Sequence, residues 1–189
     1  IYRRLKPFSS IVPEPVWRDL TAHYFGVARR NTRLLHILAD RLRRLAEAGI
    51  PIIVLKGAHL SEAVYENIAL RAFSDVDLLC READLPRIRR LLTDEGGENG
   101  PYIDLQWYLD IDLDLDLEKV WERAVSFRVA GTEAMGLCPE HLLIHLCVHL
   151  AFHHIFQYAG LRSLCDIREV VVRRGTEIDW DRLFADARE

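Results

Sequence analysis

The segment Phe73-Ser74-Asp75-Val76-Asp77-Leu78-Leu79 sets two carboxylates two residues apart inside an otherwise apolar run. An extended strand turns alternate side chains to opposite faces, so Asp75 and Asp77 project together while Val76 and Leu78 enter the core. Two like charges about 7 Å apart along a strand repel, and an apolar setting strips their hydration, so a compensating positive charge is required. A divalent cation is the leading candidate.

Downstream, Tyr102-Ile103-Asp104-Leu105-Gln106-Trp107 repeats the pattern of an Asp between aliphatic neighbours and suits the next strand of the same sheet. Asp104 would complete an acidic trio. Upstream, the β-branched run Ile50–Leu55 stops at Lys56-Gly57 and leads into a helical pattern from Ala58 to Tyr65. A glycine at such a strand-to-helix turn lets backbone amides and a helix N-terminus approach phosphate. Lys56 is one of only three lysines, against twenty-two arginines. It can neutralise triphosphate charge or hold an acid of the trio, and it can equally form a structural ion pair with Asp75 or Asp77. Ser74 joins Lys56 and Gly57 as a nucleotide-binding candidate. Its hydroxyl suits a hydrogen bond to the local turn better than a nucleophile's role, since no G-x-S-x-G surrounds it. Neither G-x-x-x-x-G-K-[ST] nor G-x-G-x-x-G occurs, which disfavours P-loop and Rossmann enzymes.

Leu55-Lys56-Gly57, Tyr65, Arg71, Ser74–Leu79, Ile103–Trp107, His149 and Asp179-Trp180-Asp181 together resemble the uncharacterised nucleotidyltransferase family of the polymerase-beta-like superfamily, over about residues 34–187. The resemblance implies that Asp75, Asp77 and Asp104 hold two Mg²⁺ ions and that Gly57 cradles the phosphates of a nucleoside triphosphate such as ATP. It implies transfer of a nucleoside monophosphate group to a hydroxyl acceptor, which could be a small molecule, a protein or RNA. The chain departs from the pattern in three places. Ala58 follows the turn glycine where Gly or Ser is usual, the interval from Gly57 to Asp75 is longer, and Gln106 stands where the close family has His. Ala58 and Gln106 motivate an alternative, a catalytically inactive binding or antitoxin-like module of the same fold.

The order of patterns predicts an α/β (α+β) chain. A small mixed sheet of nucleotidyltransferase type would be flanked by an N-terminal helical segment (1–49), with the α/β core at 50–131 and a C-terminal helical subdomain at 132–189. Predicted elements are one or two helices over Val16–Ala48 stopped by Gly49, a strand Pro51–Leu55, a helix Ala58–Asn67, a strand Asp75–Cys80 and a helix Glu82–Thr93. A hydrophilic turn region covers Asp94–Pro101, and the family carries more sequence there, which implies that residues are missing. The alternating acids Asp110–Asp116 read as a half-exposed strand or linker whose last Asp caps a helix, not as a calcium loop, because the required glycine is absent. A strand at Phe127–Ala130 and helices His141–Phe156, Leu161–Arg174 and one capped by Asp179 complete the pattern.

Residues 1–49 carry +6 and residues 72–125 carry −8, within a net charge of −4. A basic helix that draws polyanions to an acidic site is one reading, and a solvated helix face is the plainer one. The four cysteines lack C-x-x-C spacing, so neither a zinc ribbon nor a disulfide framework is expected. Ile1-Tyr2-Arg3-Arg4 leads into polar sequence and no apolar stretch reaches the length of a bilayer span, so neither a secretory leader nor a membrane anchor is expected and a cytoplasmic protein is. The missing initiator Met implies that residues precede Ile1. His141, His145, His149 and His153 recur every four residues along one helical stripe, with Asp166 on the next helix. Such a stripe can bind zinc or iron, or can sit as interior imidazoles hydrogen-bonded to Asp166 and carbonyls. His149, His153 and Asp166 are therefore candidates for an acceptor or second site. The missing Glu of H-E-x-x-H argues against a metalloprotease.

Overall fold

A computed structural model describes residues 1–93, 102–109, 115–153 and 160–188. The predicted turn region 94–101, the alternating acids 110–114 and the end of the predicted helix beyond residue 153 lie outside them, as does the side chain of His153.

A short helix α1 (Tyr2–Leu5) and a 3₁₀ turn (Lys6–Ile11) precede α2, a single helix over Glu14–Glu47. Its buried residues, Leu34, Leu35, Leu38, Leu42 and Leu45 among them, recur at helical spacing and start only at Val27. The N-terminal half instead supports α1, where Tyr2 stacks on Trp17 and Tyr24 at ring distances of 4.9 and 4.4 Å. Gly49 adopts φ +69°, the left-handed conformation that ends the helix as expected.

Five strands follow: β1 (Ile53–Val54), β2 (Asp75–Leu79), β3 (Tyr102–Gln106), β4 (Val125–Val129) and β5 (Thr132–Gly136), in the sheet order β3-β2-β1-β5-β4. Strand β1 pairs antiparallel with β2 and parallel with β5, so the sheet is mixed as predicted. The predicted strand Pro51–Leu55 contracts to two residues. Strand β5 was not anticipated, because Glu, Ala and Gly have poor strand propensity. Pairing on both sides, to β1 and to β4, makes it extended and carries the sheet past residue 131.

Helix α3 (Lys56–His59) starts two residues earlier than expected and continues as a wide π turn over Leu60–Val64. Helices α4 (Leu85–Thr93) and α5 (Leu117–Glu122) flank the sheet, and Asp116 caps α5 through the Glu118 amide at 3.0 Å. Helix α6 (Pro139–Val148), prolonged as a π turn over His149–His153, then α7 (Gly160–Arg174) and α8 (Trp180–Asp186) form the C-terminal part. Asp179 caps α8 as predicted.

The two faces of the sheet serve two cores. Val54, Val76, Leu78 and Cys80 pack with α2 and α4. Ile53, Leu55 and Leu79 pack with Leu142, Leu146 and Val170 of the C-terminal helices. The odd-numbered residues of β2 therefore face the C-terminal helices, and Asp75 and Asp77 belong to that set. No helix among the described residues is long and apolar enough to cross a membrane.

Candidate active site

The strand pairing decides where the third acid goes. Strands β2 and β3 run parallel with Asp77 opposite Asp104 and Leu79 opposite Gln106. Parallel register makes opposed residues share a face, so all three carboxylates project toward α6 and α7. Asp77 is only 7% exposed, whereas Asp75 is exposed at the strand's start. Burial pushes the Asp77 carboxyl up from its ordinary range, with Asp75 and Asp104 adding to the rise and Lys56 opposing it.

Two donors from the chain sit on these oxygens. Lys56 Nζ lies 2.8 Å from Asp77 Oδ1. The Gln106 amide donates to Asp77 Oδ1 at 3.2 Å and to Asp104 Oδ2 at 2.8 Å, bridging the two strands. Lys56 itself adopts φ +44°, a left-handed conformation costly for any residue with a Cβ. That kink ends β1 abruptly and aims the ammonium across to β2. Gly57 follows because nothing larger fits. A Cβ there would lie 2.7 Å from Phe73 Cβ.

A cavity of about 770 Å³ opens beside the acids, lined by Lys56, Gly57, Asp75, Asp77 and Asp104 on the sheet side and by His149, Arg162 and Asp166 on the helical side. Most of the predicted site residues thus meet in one place. Ser74 does not line the cavity. It is exposed, with its hydroxyl 3.4 Å from Asp75 Oδ1.

The histidine stripe disperses. His141 is fully buried and meets Arg123 Nη1 at 3.2 Å and Asp186 at 3.4 Å, in a cluster that Glu140 completes. His145 and His149 face each other with ring centroids 6.1 Å apart. Asp166 accepts from Arg71 Nε at 2.8 Å and from Tyr65 Oη at 2.7 Å. Sequence reasoning missed that pairing. Arg71 and Asp166 are 95 positions apart, and no local spacing links them. The four cysteines are free, Cys80 and Cys138 buried, Cys147 and Cys165 exposed.

Among the described residues, no three His, Cys, Asp or Glu side chains are gathered as a metal site. In this conformation Lys56 and Gln106 share Asp77 Oδ1, and Gln106 also holds Asp104 Oδ2. The donor chemistry nevertheless fits a hard divalent cation, which takes carboxylate oxygens. A positive charge already stands at Asp77.

No curated protein matches the chain. Among solved structures it is similar to ANT(2'')-Ia in complex with adenylyl-2''-tobramycin, with a TM-score of 0.58 at 12% identity, covering 82% of this chain and 96% of that one. The solution structure of antibiotic-resistance factor ANT(2'')-Ia gives a TM-score of 0.56 at 10% identity, covering 83% and 90%. An antigenic nucleotidyltransferase-like protein from Paracoccidioides brasiliensis gives 0.51 at 12% identity, covering 77% of each chain. These likenesses establish the fold. A family model described as uncharacterised nucleotidyltransferase matches residues 1–189, and the chain belongs to that family.

Proposed function

We propose that the protein is a cytoplasmic, Mg²⁺-dependent nucleotidyltransferase that moves a nucleoside monophosphate group from a nucleoside triphosphate, ATP among them, to a hydroxyl acceptor. One observation carries the reading: Asp77 and Asp104 stand in register on adjacent parallel strands and line the same cavity as the Lys56-Gly57 turn. Asp75, Asp77 and Asp104 would hold two magnesium ions, which supply Lewis-acid stabilisation of the phosphate charge. The Gly57 turn lets the triphosphate approach the backbone, and Lys56 offers its ammonium to the β and γ phosphates once it leaves Asp77. Asp104 orients the acceptor hydroxyl and takes its proton. The new bond from acceptor oxygen to the α-phosphorus forms as the bond to the bridging oxygen breaks, and pyrophosphate leaves. Arg162 and His149 shape the helical wall against which the acceptor rests. In ANT(2'')-Ia the same fold accommodates adenylyl-2''-tobramycin, which is consistent with room for nucleotide and acceptor together.

Calorimetric titration of Mg²⁺ and NTP into wild type, Asp75→Asn and Asp77→Asn tests the metal assignment. Loss of binding in the variants is expected, and equal binding in all three proteins refutes it. The inactive-module reading is favoured by one observation, the Gln106 amide that ties Asp77 to Asp104. Radiolabelled NTP incubated with a panel of small-molecule, protein and RNA acceptors decides between the two. Labelled product that disappears in Asp104→Asn excludes the inactive module.

A further inference from the structure

We propose that Arg71 is a phosphate-contacting residue of this site and that Asp166, steadied by Tyr65, is the positioning residue that aims it. The inference rests on the triphosphate reading above and adds to it the residues that hold the phosphates.

Arg71 lies in the segment between the π turn and β2, and its side chain is 12% exposed. Asp166 projects from α7 and its side chain is 3% exposed. Arg71 Nε is shared between both Asp166 oxygens at 2.8 and 3.0 Å, and Nη1 donates to the Ala72 carbonyl at 2.5 Å. Three fixed points on a planar guanidinium leave it no rotational freedom. Among the described residues, Nη2 has no hydrogen-bond partner, and the Arg71 side chain lines the cavity. The group therefore presents spare donors to the space beside the acids.

Its location is specific. Arg71 Nη1 would be 3.7 Å from a Cβ built on Gly57, so the guanidinium flanks the turn where a phosphate comes closest to the backbone. Lys56, the other cation beside that turn, must first leave Asp77, which it meets at 2.8 Å, whereas Arg71 already faces the cavity. Arginine's fork matches phosphate oxygens two at a time, which a point-charge ammonium cannot do. Tyr65 keeps the aim fixed. Burial first, and then Asp166, push the Tyr65 hydroxyl well above its ordinary value, so it remains a donor to Asp166 Oδ1 throughout the physiological range. The C-terminal helices thereby take part in nucleotide binding through a carboxylate that need not touch the nucleotide.

The test is binding of inorganic tripolyphosphate and of NTP to the full chain, by calorimetry at two salt concentrations, for wild type, Arg71→Gln and Tyr65→Phe. Affinity for both ligands is expected to fall about tenfold or more in Arg71→Gln, the usual loss for a charge-assisted hydrogen bond. Its salt dependence should weaken too, because one cation has left the ligand. Tyr65→Phe keeps both charges and loosens only the aim, so a smaller loss in the same direction is expected. Unchanged tripolyphosphate affinity in Arg71→Gln, or a loss with undiminished salt dependence, overturns the proposal and leaves Arg71 as a strut between α7 and the core. If Arg71→Gln does not fold, unchanged tripolyphosphate affinity in Tyr65→Phe overturns it. Wild-type protein that binds neither ligand refutes the nucleotidyl-transfer reading itself, a different result from binding that survives the substitutions.

Discussion

Replacing Lys56 with Met isolates the charge at the centre of the site. Met has nearly the same length and pays the same backbone penalty at φ +44°, so the ammonium is the principal loss. At 2.8 Å from Asp77 Oδ1, the pair gains roughly 6 kcal/mol of gross attraction at an effective dielectric of about 20. The variant no longer has to desolvate the ammonium, and water reaches part of the pair, whose side chains are 20% and 10% exposed. A net destabilisation of about 2 to 3 kcal/mol remains, because a buried carboxylate is left facing two others. For a chain of this length that lowers Tm by about 4 to 12 °C. The assay is thermal unfolding followed by circular dichroism at pH 7.5, with EDTA and then with MgCl₂. In EDTA the variant should melt lower by that amount. In MgCl₂ the gap should narrow, since the cation supplies the charge that Lys56 supplied. A variant as stable as wild type in EDTA would refute the claim that Lys56 compensates Asp77. A gap that magnesium leaves unchanged would refute the claim that the two positive charges serve the same oxygens.

Other outcomes follow from the same geometry. Gly57→Ala drives a Cβ to 2.7 Å from Phe73 Cβ, an atom fixed to the backbone. Overpacking of about 1 to 3 kcal/mol is expected in urea titrations, with weaker NTP binding. His59, 3% exposed, has its pKa lowered to about 4 by burial and then by Arg174. The unfolded chain takes up a proton below about pH 6.5 that the native state refuses, so this stability is full above 6.5 and drains as pH falls toward 4. Between pH 7 and 4.5, His59→Asn should therefore lose about 2 kcal/mol less than wild type in urea unfolding. Arg123→Met strips the shared partner from Glu140 and Asp186, at 3.0 and 2.6 Å, and should cost roughly 3 kcal/mol by chemical denaturation.

Local pattern carried a large part of this protein. The alternation of Asp75 and Asp77 with Val76 and Leu78 could be extended only one way, the leucine spacing of α2 could bury only one stripe, and Asp116 and Asp179 cap the helices that follow them. Such features depend on neighbours a few residues away, and the chain alone supplies those. Strand β5 needed partners on both sides to be extended at all, and the sequence could not supply them. Nor could spacing reveal that Gln106 would bond both acids or that Arg71 would meet Asp166, because pairings across strands and helices are chosen by packing. The sequence by itself determined which residues bear charge and which elements carry them. Only the tertiary structure decided which charges meet, since burial removes water and each ionised group must then find its partner wherever the fold brings one.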